Sequence, residues 1–242
     1  GWVTAVEALL RWDHPKHGRI GPGEFVSLAE HTELIGPLTE FVVARAVDEV
    51  GAVPALRVAI NVSARNLEDR HFASRLLAQL DERDFPTERL EVEITESALA
   101  NDPERTSAVL EELRSAGVWV SIDDFGTGYA SFGTLRDLQI DRVKIDRSLV
   151  GRAARSPADR HIVKAMIDLA HGLGLDVVAE GVETIDVWDA LAALGCDDAQ
   201  GFLMARPRAA SHLGDLVGSR FRHPVHQPRA LEPHVPIVTV PA

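Results

Sequence analysis

A short apolar run, an acidic pair and a glycine-rich turn follow one another in Val118-Trp119-Val120-Ser121-Ile122-Asp123-Asp124-Phe125-Gly126-Thr127-Gly128. The apolar part has the length and composition of a buried strand. Two adjacent carboxylates raise each other's pKa unless a cation lies between them, and glycine lets the backbone turn sharply beside such a cation. The stretch therefore predicts a divalent metal at a strand end. An acidic turn, with Asp capping a following helix, is the alternative that this segment alone leaves open.

Strand-length apolar runs alternate with helical patterns on both sides of this stretch. The predicted strands are Val3–Arg11, Leu56–Val62, Leu90–Thr95, Val118–Asp123, Arg142–Asp146, Asp176–Glu180 and Cys196–Phe202. The predicted helices lie near Gly23–Leu34, Pro37–Val50, Asp69–Arg83, Pro103–Ala116, Tyr129–Leu138, Pro157–Leu173 and Ile185–Leu194. Such alternation indicates parallel strands with right-handed crossovers. Seven strands in about 200 residues favour a (β/α) barrel, and an open doubly wound sheet stays the alternative.

The composition limits the classes of partner. The net charge of −12 argues against a nucleic-acid polymer, because binding one needs clustered Lys and Arg. Cys196 is the only cysteine, which excludes an intrachain disulfide and fits the reducing cytoplasm. No apolar run approaches the roughly 18–20 residues of a membrane span, so we expect no membrane contact from this segment. The first residue is Gly1, which predicts a fragment with further sequence upstream.

The end of the chain differs from the rest. Residues 218–242 contain five prolines and little periodicity. This composition predicts a disordered tail after a single domain of residues 1–217.

Polar residues share one face of each predicted strand, since strand residues alternate faces with period two. Helices should cover the apolar face, which turns the polar face into the barrel. Most of these polar residues lie toward the carboxyl ends of the strands, where barrel active sites are found. One such residue alone is more often a solvated charge, but the coincidence on seven strands favours a site. The set comprises Glu7, Arg11, Asn61, Glu93, Asp123, Lys144, Glu180 and Gln200, and Asp124 directly follows Asp123 at its strand end.

The ligand types indicate the metal and the chemistry. Oxygen donors dominate, and no histidine lies at the end of a predicted strand, so Mg²⁺ or Mn²⁺ fits better than Zn²⁺. Six residues, Glu7, Asn61, Glu93, Asp123, Asp124 and Glu180, offer five carboxylates and one amide. That exceeds the needs of one ion and predicts two metals with Asp123 as the bridge. Two such ions clamp the attacking and leaving oxygens of a phosphoryl displacement. Lys144 and Arg11 then provide cations for the phosphate or the nucleophile.

Ordered motifs across residues 3–217 resemble the EAL-domain family of bacterial cyclic di-GMP phosphodiesterases. They are Glu7-Ala8-Leu9 with Leu10-Arg11-Trp12, His14-Pro15, Ile60-Asn61-Val62-Ser63, Glu93-Ile94-Thr95-Glu96-Ser97, Asp123 to Gly128, Val143-Lys144-Ile145-Asp146-Arg147, Ala179-Glu180-Gly181-Val182-Glu183-Thr184, Ala199-Gln200-Gly201-Phe202 and Arg206-Pro207. The resemblance implies a TIM-like barrel that hydrolyses cyclic di-GMP to linear pGpG. Face alternation alone would also permit another function, that of an enolase-like barrel with Mg²⁺ and a lysine base.

The resemblance also implies residue roles. The metal ligands are Glu7, Asn61, Glu93, Asp123, Asp124 and Glu180. Glu180 is also a candidate general base, and Lys144 holds the attacking water or hydroxide. Substrate contacts fall on Arg11, Asp146 and Gln200. The loop after Asp124 is supported by Glu96, Glu183, Gly126 and Gly128. We expect Ca²⁺ to inhibit, because its larger, looser coordination misplaces the water.

Further expectations concern the parts around the domain. Relatives dimerise through the loop after Asp124 and the helix that begins near Tyr129. They often carry an upstream diguanylate-cyclase-like (GGDEF) or sensory domain. The family's first strand, which is antiparallel, is missing here, so seven strands must close or leave an exposed edge. Some relatives lack activity and serve as cyclic di-GMP receptors. The functional alternative is that this chain is also a weak or inactive receptor.

Overall fold

The computed structural model describes residues 3–53, 56–99, 102–128, 135–136, 138–216, 232–235 and 239–241. Strands in these residues are β1 (Ala5–His14), β2 (Gly18–Ile20), β3 (Arg57–Asn61), β4 (Leu90–Thr95), β5 (Trp119–Phe125), β6 (Arg142–Ile145), β7 (Asp176–Ala179), β8 (Asp198–Gln200), β9 (Glu232–Val235) and β10 (Thr239–Pro241). Helices are α1 (Pro22–Glu30), α2 (Ile35–Gly51), α3 (Ala64–Leu67), α4 (Phe72–Asp81), α5 (Pro103–Ser115), α6 (Arg147–Ala153), α7 (Pro157–Gly172), α8 (Ile185–Leu194) and α9 (Leu213–Leu216).

The strands form a parallel sheet that curls into a TIM-like barrel. The order is β10-β1-β3-β4-β5-β6-β7-β8-β9, and β9 also pairs with β1, which closes the ring. The short strand β2 forms an antiparallel hairpin with β1. All seven predicted strands are present, and the barrel, not the open sheet, is confirmed.

Two strands, β9 and β10, lie within residues 218–242, the segment whose composition predicts a disordered tail. β9 pairs in parallel with β8 on one side and with β1 on the other, and β10 continues along β1. Without β9, the facing edges of β8 and β1 would carry unpaired backbone N–H and C=O groups. The prolines hid this segment, because proline within a run argues against a strand.

Apolar residues on the outer face of the strands form the core with the helices. Val58, Ile60 and Val92 are completely buried between the sheet and its cover. Helix starts follow the sequence pattern: Asp102 caps α5 by accepting a hydrogen bond from the Arg105 N–H, with Pro103 at the first helical position. The carboxyl ends of the strands are therefore held at a common rim.

A buried ion-pair network fills the amino end of the barrel. The Arg142 guanidinium donates to Glu91 at 3.1 Å and to Asp198 at 2.9 Å. Arg57 lies over the Trp119 ring at 3.7 Å. All five residues are the first or second of their strands. Within the described residues, these side chains occupy the amino end, so a ligand site is expected at the carboxyl ends.

The predicted helix Tyr129–Leu138 lies largely outside the described residues, and so does the dimer surface predicted there. Among the helices that are described, none combines the length and the hydropathy that crossing a bilayer requires.

Candidate active site

A bulge in β5 places the acidic pair on one rim. In a regular strand, Asp123 and Asp124 would point to opposite faces. Here the pairing with β6 slips between Ile122 and Phe125, and Asp124 adopts a left-handed conformation with φ of 56°. Oxygens of Asp123, Asp124 and Glu180 consequently lie within 4.8 Å of one another. The grouping can hold a metal ion.

Lys144 lies at the centre of the acidic residues and is 1% exposed. Its ammonium nitrogen contacts four carboxylates: Glu180 at 2.7 Å, Glu93 at 2.9 Å, Asp123 at 3.4 Å and Glu7 at 4.0 Å. One positive charge cannot neutralise four negative ones. The site therefore has excess negative charge in the barrel interior.

The pKa values reflect this excess. Burial raises the pKa of Glu93 well above its usual range, and burial, with Asp123 nearby, raises the pKa of Glu180 to about 7; Lys144 opposes both shifts. Burial alone would lower the pKa of Lys144, but the carboxylates, Glu93 first, hold it well above its ordinary value. The pKa of Asp124 is raised by burial and then by Asp123. Added cations would relieve all of these carboxylates.

Glu7 is held between two side-chain amides. Asn61 donates from Nδ2 to Oε1 of Glu7 at 2.7 Å, and Gln200 donates from Nε2 to Oε2 at 2.6 Å. Each amide keeps its carbonyl oxygen as a further possible ligand. The three residues come from β1, β3 and β8, so the pairing fixes the orientation of Glu7 across the seam of the barrel.

The donor set fits hard divalent cations. Carboxylate and amide oxygens converge here, and such ligands suit Mg²⁺ or Mn²⁺. One histidine does end a strand, contrary to the sequence-based expectation, because β1 extends to His14. Its Nδ1 accepts hydrogen bonds from the backbone N–H groups of Lys16 and His17, so that nitrogen serves the hairpin.

The loop after Asp124 packs closely on neighbouring side chains at its two glycines. The Gly128 N–H donates to Glu96 Oε2 at 3.0 Å, and a Cβ on Gly128 would lie 2.9 Å from that oxygen. Gly126 has φ of 95°, and a Cβ there would lie 2.7 Å from the Met166 terminal methyl. Glu96 thus contacts the loop, and its anchoring role stays a prediction.

Three further expected site residues lie at the rim. Arg11 is half-buried, and its guanidinium donates to the Leu10 carbonyl at 2.8 Å. Asp146 caps α6 by accepting from the Ser148 N–H at 2.9 Å. Glu183 is exposed and makes no hydrogen bond or ion pair with residues that the structure describes, so its supporting role stays a prediction.

Sequence reasoning missed how the rim loops after β7 and β8 join. A Cβ on Gly201 would lie 2.2 Å from the Val182 carbonyl oxygen, and the Leu203 N–H donates to the same oxygen at 3.0 Å. Glycine directly follows a polar strand-end residue in both loops, at Gly181 and Gly201. This repeated pattern is the sequence signal that could have predicted the contact between the two loops.

A comparison with known families identifies the family of this chain. The family model of the EAL domain matches residues 1–207. The chain belongs to the EAL domain family. A cyclic di-GMP phosphodiesterase of Pseudomonas aeruginosa is 42% identical over 90% of this chain, and the bifunctional diguanylate cyclase/cyclic di-GMP phosphodiesterase MucR of the same organism is 39% identical over 88%. The matches span 38% and 32% of those relatives.

A solved structure shares the fold of this EAL domain. The MucR phosphodiesterase in complex with cyclic di-GMP superposes with a TM-score of 0.82 at 39% identity, over 88% of each chain. The fold described above is therefore that of an EAL domain.

Proposed function

We propose that this EAL domain hydrolyses one phosphodiester bond of cyclic di-GMP and releases linear pGpG. The observation that carries the proposal is the convergence of four carboxylates on the buried ammonium of Lys144. Such a surplus of negative charge on oxygen donors suits divalent cations bound with a phosphodiester. The relatives named as cyclic di-GMP phosphodiesterases support the choice of substrate.

The residues that would hold two Mg²⁺ or Mn²⁺ ions are Glu7, Asn61, Glu93, Asp123, Asp124 and Glu180, with Asp123 as the bridge. When bound, two such ions stabilise the attacking and leaving oxygens of the displacement. Asn61 and Gln200 fix Glu7 for this task through their hydrogen bonds.

Lys144 and Glu180 are the groups proposed to act on the attacking water. Glu180 holds the Lys144 ammonium at 2.7 Å, so a water or hydroxide beside them has a fixed position. Burial raises the pKa of Glu180 in the metal-free site, and bound cations would lower it again, so the carboxylate would be ionised and able to accept a proton near neutral pH. In the balanced step, the water oxygen forms a bond to phosphorus and the bond between phosphorus and the ribose 3′ oxygen breaks. Glu180 would take the proton from the water, and the leaving 3′ oxygen gains a proton from Glu180 or from the solvent.

Residues at the rim would contact the substrate, namely Arg11, Asp146 and Gln200. Ca²⁺ would inhibit the hydrolysis. We propose a homodimer through the loop after Asp124 and the segment near Tyr129, an upstream GGDEF or sensory domain in the parent protein, and a cytoplasmic location.

The test is turnover of cyclic di-GMP by the full chain in Mg²⁺ or Mn²⁺, with products separated by chromatography. We expect pGpG from the wild type and none from Glu7→Ala. Glu24→Ala, an exposed carboxylate in α1, is the matched control and should behave as wild type. Tight binding without turnover in either metal would refute the enzyme and identify a receptor.

A further inference from the structure

Arg147 is an exposed cation at the mouth of the site that the proposed mechanism does not use. It directly follows β6 and Asp146, and it is the first residue of α6. Its guanidinium makes no ion pair or hydrogen bond with any residue in the described part of the chain, although its charge acts on both Asp124 and Asp146. The arginine is thus available to a ligand while it stays within the field of the acidic site.

The base of the Arg147 side chain is fixed beside Glu180. Gly181 has φ of 65°, and a Cβ on it would lie 2.4 Å from the Arg147 Cβ and 3.3 Å from the Arg147 Cα. Only a glycine permits this approach. The stem of Arg147 therefore leaves the backbone next to the loop that carries the candidate base.

Arg147 and Arg11 lie on opposite sides of the mouth. Arg11 is on β1 and Arg147 follows β6, and the closed ring places three strands between them in each direction. The acidic site lies between the two arginines. A ligand that contacts both must be long enough to extend across the barrel.

The surroundings of Arg147 favour a neutral acceptor over a phosphate. The centre already offers Lys144 and the proposed metals to phosphate oxygens. Asp124 and Asp146, on which Arg147 acts, would repel a further anion. A guanine edge is uncharged and presents two acceptors, O6 and N7, that match the two-pronged guanidinium.

We propose that Arg147 recognises a guanine base of the substrate through O6 and N7, on the side of the mouth opposite Arg11. This inference rests on the proposed function and makes Arg147 a specificity-determining residue. Adenine offers only one of the two acceptors, because its exocyclic amine replaces O6.

The test compares cyclic di-GMP with cyclic di-AMP in wild type and Arg147→Ala. We expect the KM for cyclic di-GMP to rise about tenfold with little change in kcat, as for loss of a charged hydrogen bond. The preference for cyclic di-GMP, as the ratio of kcat/KM values, should fall by about tenfold. Arg147→Lys keeps the charge but loses the two-pronged geometry. Its preference for cyclic di-GMP should therefore be as low as that of Arg147→Ala.

Two controls separate the possible failures. Arg152→Ala removes another exposed arginine of α6, whose guanidinium donates to the Ser148 carbonyl, and should leave both substrates unaffected. Bis(p-nitrophenyl) phosphate has no guanine, so its hydrolysis should not change in Arg147→Ala.

Equal losses of kcat/KM for both cyclic dinucleotides would indicate phosphate binding and overturn the inference. A wild type without turnover refutes the proposed function itself, whereas an unchanged Arg147→Ala in an active enzyme refutes only this inference.

Discussion

Lys144 is the residue on which the electrostatics of the site depend. It is a buried cation among four carboxylates, and loss of one partner from a buried ion pair typically costs about 3–5 kcal/mol. We therefore expect Lys144→Met to lower the free energy of unfolding of the metal-free protein by about this amount and to reduce turnover by at least about 100-fold.

Denaturant unfolding in EDTA and product chromatography measure the two effects. Lys164→Met is the control, because Lys164 is an exposed lysine paired with Asp168 on α7. Unchanged stability of metal-free Lys144→Met would contradict the role of Lys144 as the counterion.

Asp124 is a proposed metal ligand, and its backbone is left-handed. Asn tolerates this conformation, whereas Ala is strained there by about 1–2 kcal/mol. We expect Asp124→Asn and Asp124→Ala both to lose turnover, and only Asp124→Ala to lose stability in EDTA. Thermal unfolding of the pair checks this. Equal stabilities would show that the backbone strain has no consequence.

The raised pKa of Glu180 makes the metal-free protein sensitive to pH. The folded state holds the proton up to about pH 7, whereas the unfolded chain releases it near 4.5. The folded state thus binds more protons in this window, so its stability should fall as the pH rises through it. Melting in EDTA at pH 5.5 and 7.5 measures the fall, and Glu180→Gln should flatten it. A steeper fall in Glu180→Gln would contradict the assignment.

The period-two pattern was sufficient to predict most of the residues that the structure groups at the site. Glu7, Glu93 and Lys144 follow from strand alternation alone. The pairing of Asp123 with Asp124 does not, because alternation places neighbours on opposite faces. The register slip in β5 depends on contacts with β6 that local sequence does not encode.

At the level of elements, the joined loops after β7 and β8 hold Glu180 and Gln200. Gly201→Ala would force a Cβ into the Val182 backbone at 2.2 Å, which no side-chain movement relieves. We expect a loss of about 3 kcal/mol or more in unfolding free energy. Gly151→Ala in α6 has open space around the new Cβ and should be neutral or stabilising by up to about 1 kcal/mol. Denaturant unfolding compares them, and equal effects would contradict the tight loop contact.

Strands with a strong apolar pattern and helices of several turns were predicted well, and the short helices between them were missed. The boundaries of β4 agree with the sequence pattern, and those of α5 differ by one residue. The seven-residue α6 was missed, because one and a half turns after a strand show too little periodicity to separate a helix from a loop.

At the scale of the whole molecule, β9 closes the ring between β8 and β1. The alternation of strands and helices predicted the barrel, but this closure pairs Ala5 with His234, 229 positions further along the chain, beyond the reach of local patterns. Glu7 and Gln200 meet across the same seam.

Ending the chain at residue 217 removes β9 and β10. We expect a lower melting temperature and concentration-dependent association, because the edges of β8 and β1 become available to other chains. Thermal unfolding and size-exclusion chromatography at several concentrations measure both. A monomer with an unchanged melting temperature would show that the two strands contribute nothing to closure.

The slip in β5 also bears on protein design. An Asp-Asp pair copied into an unbroken strand of another barrel would send one carboxylate outward among the covering helices. A transplanted site would need the irregular step and the left-handed residue together with the acids. What must be transferred is therefore the local backbone geometry, because the two carboxylates alone would not face the same site.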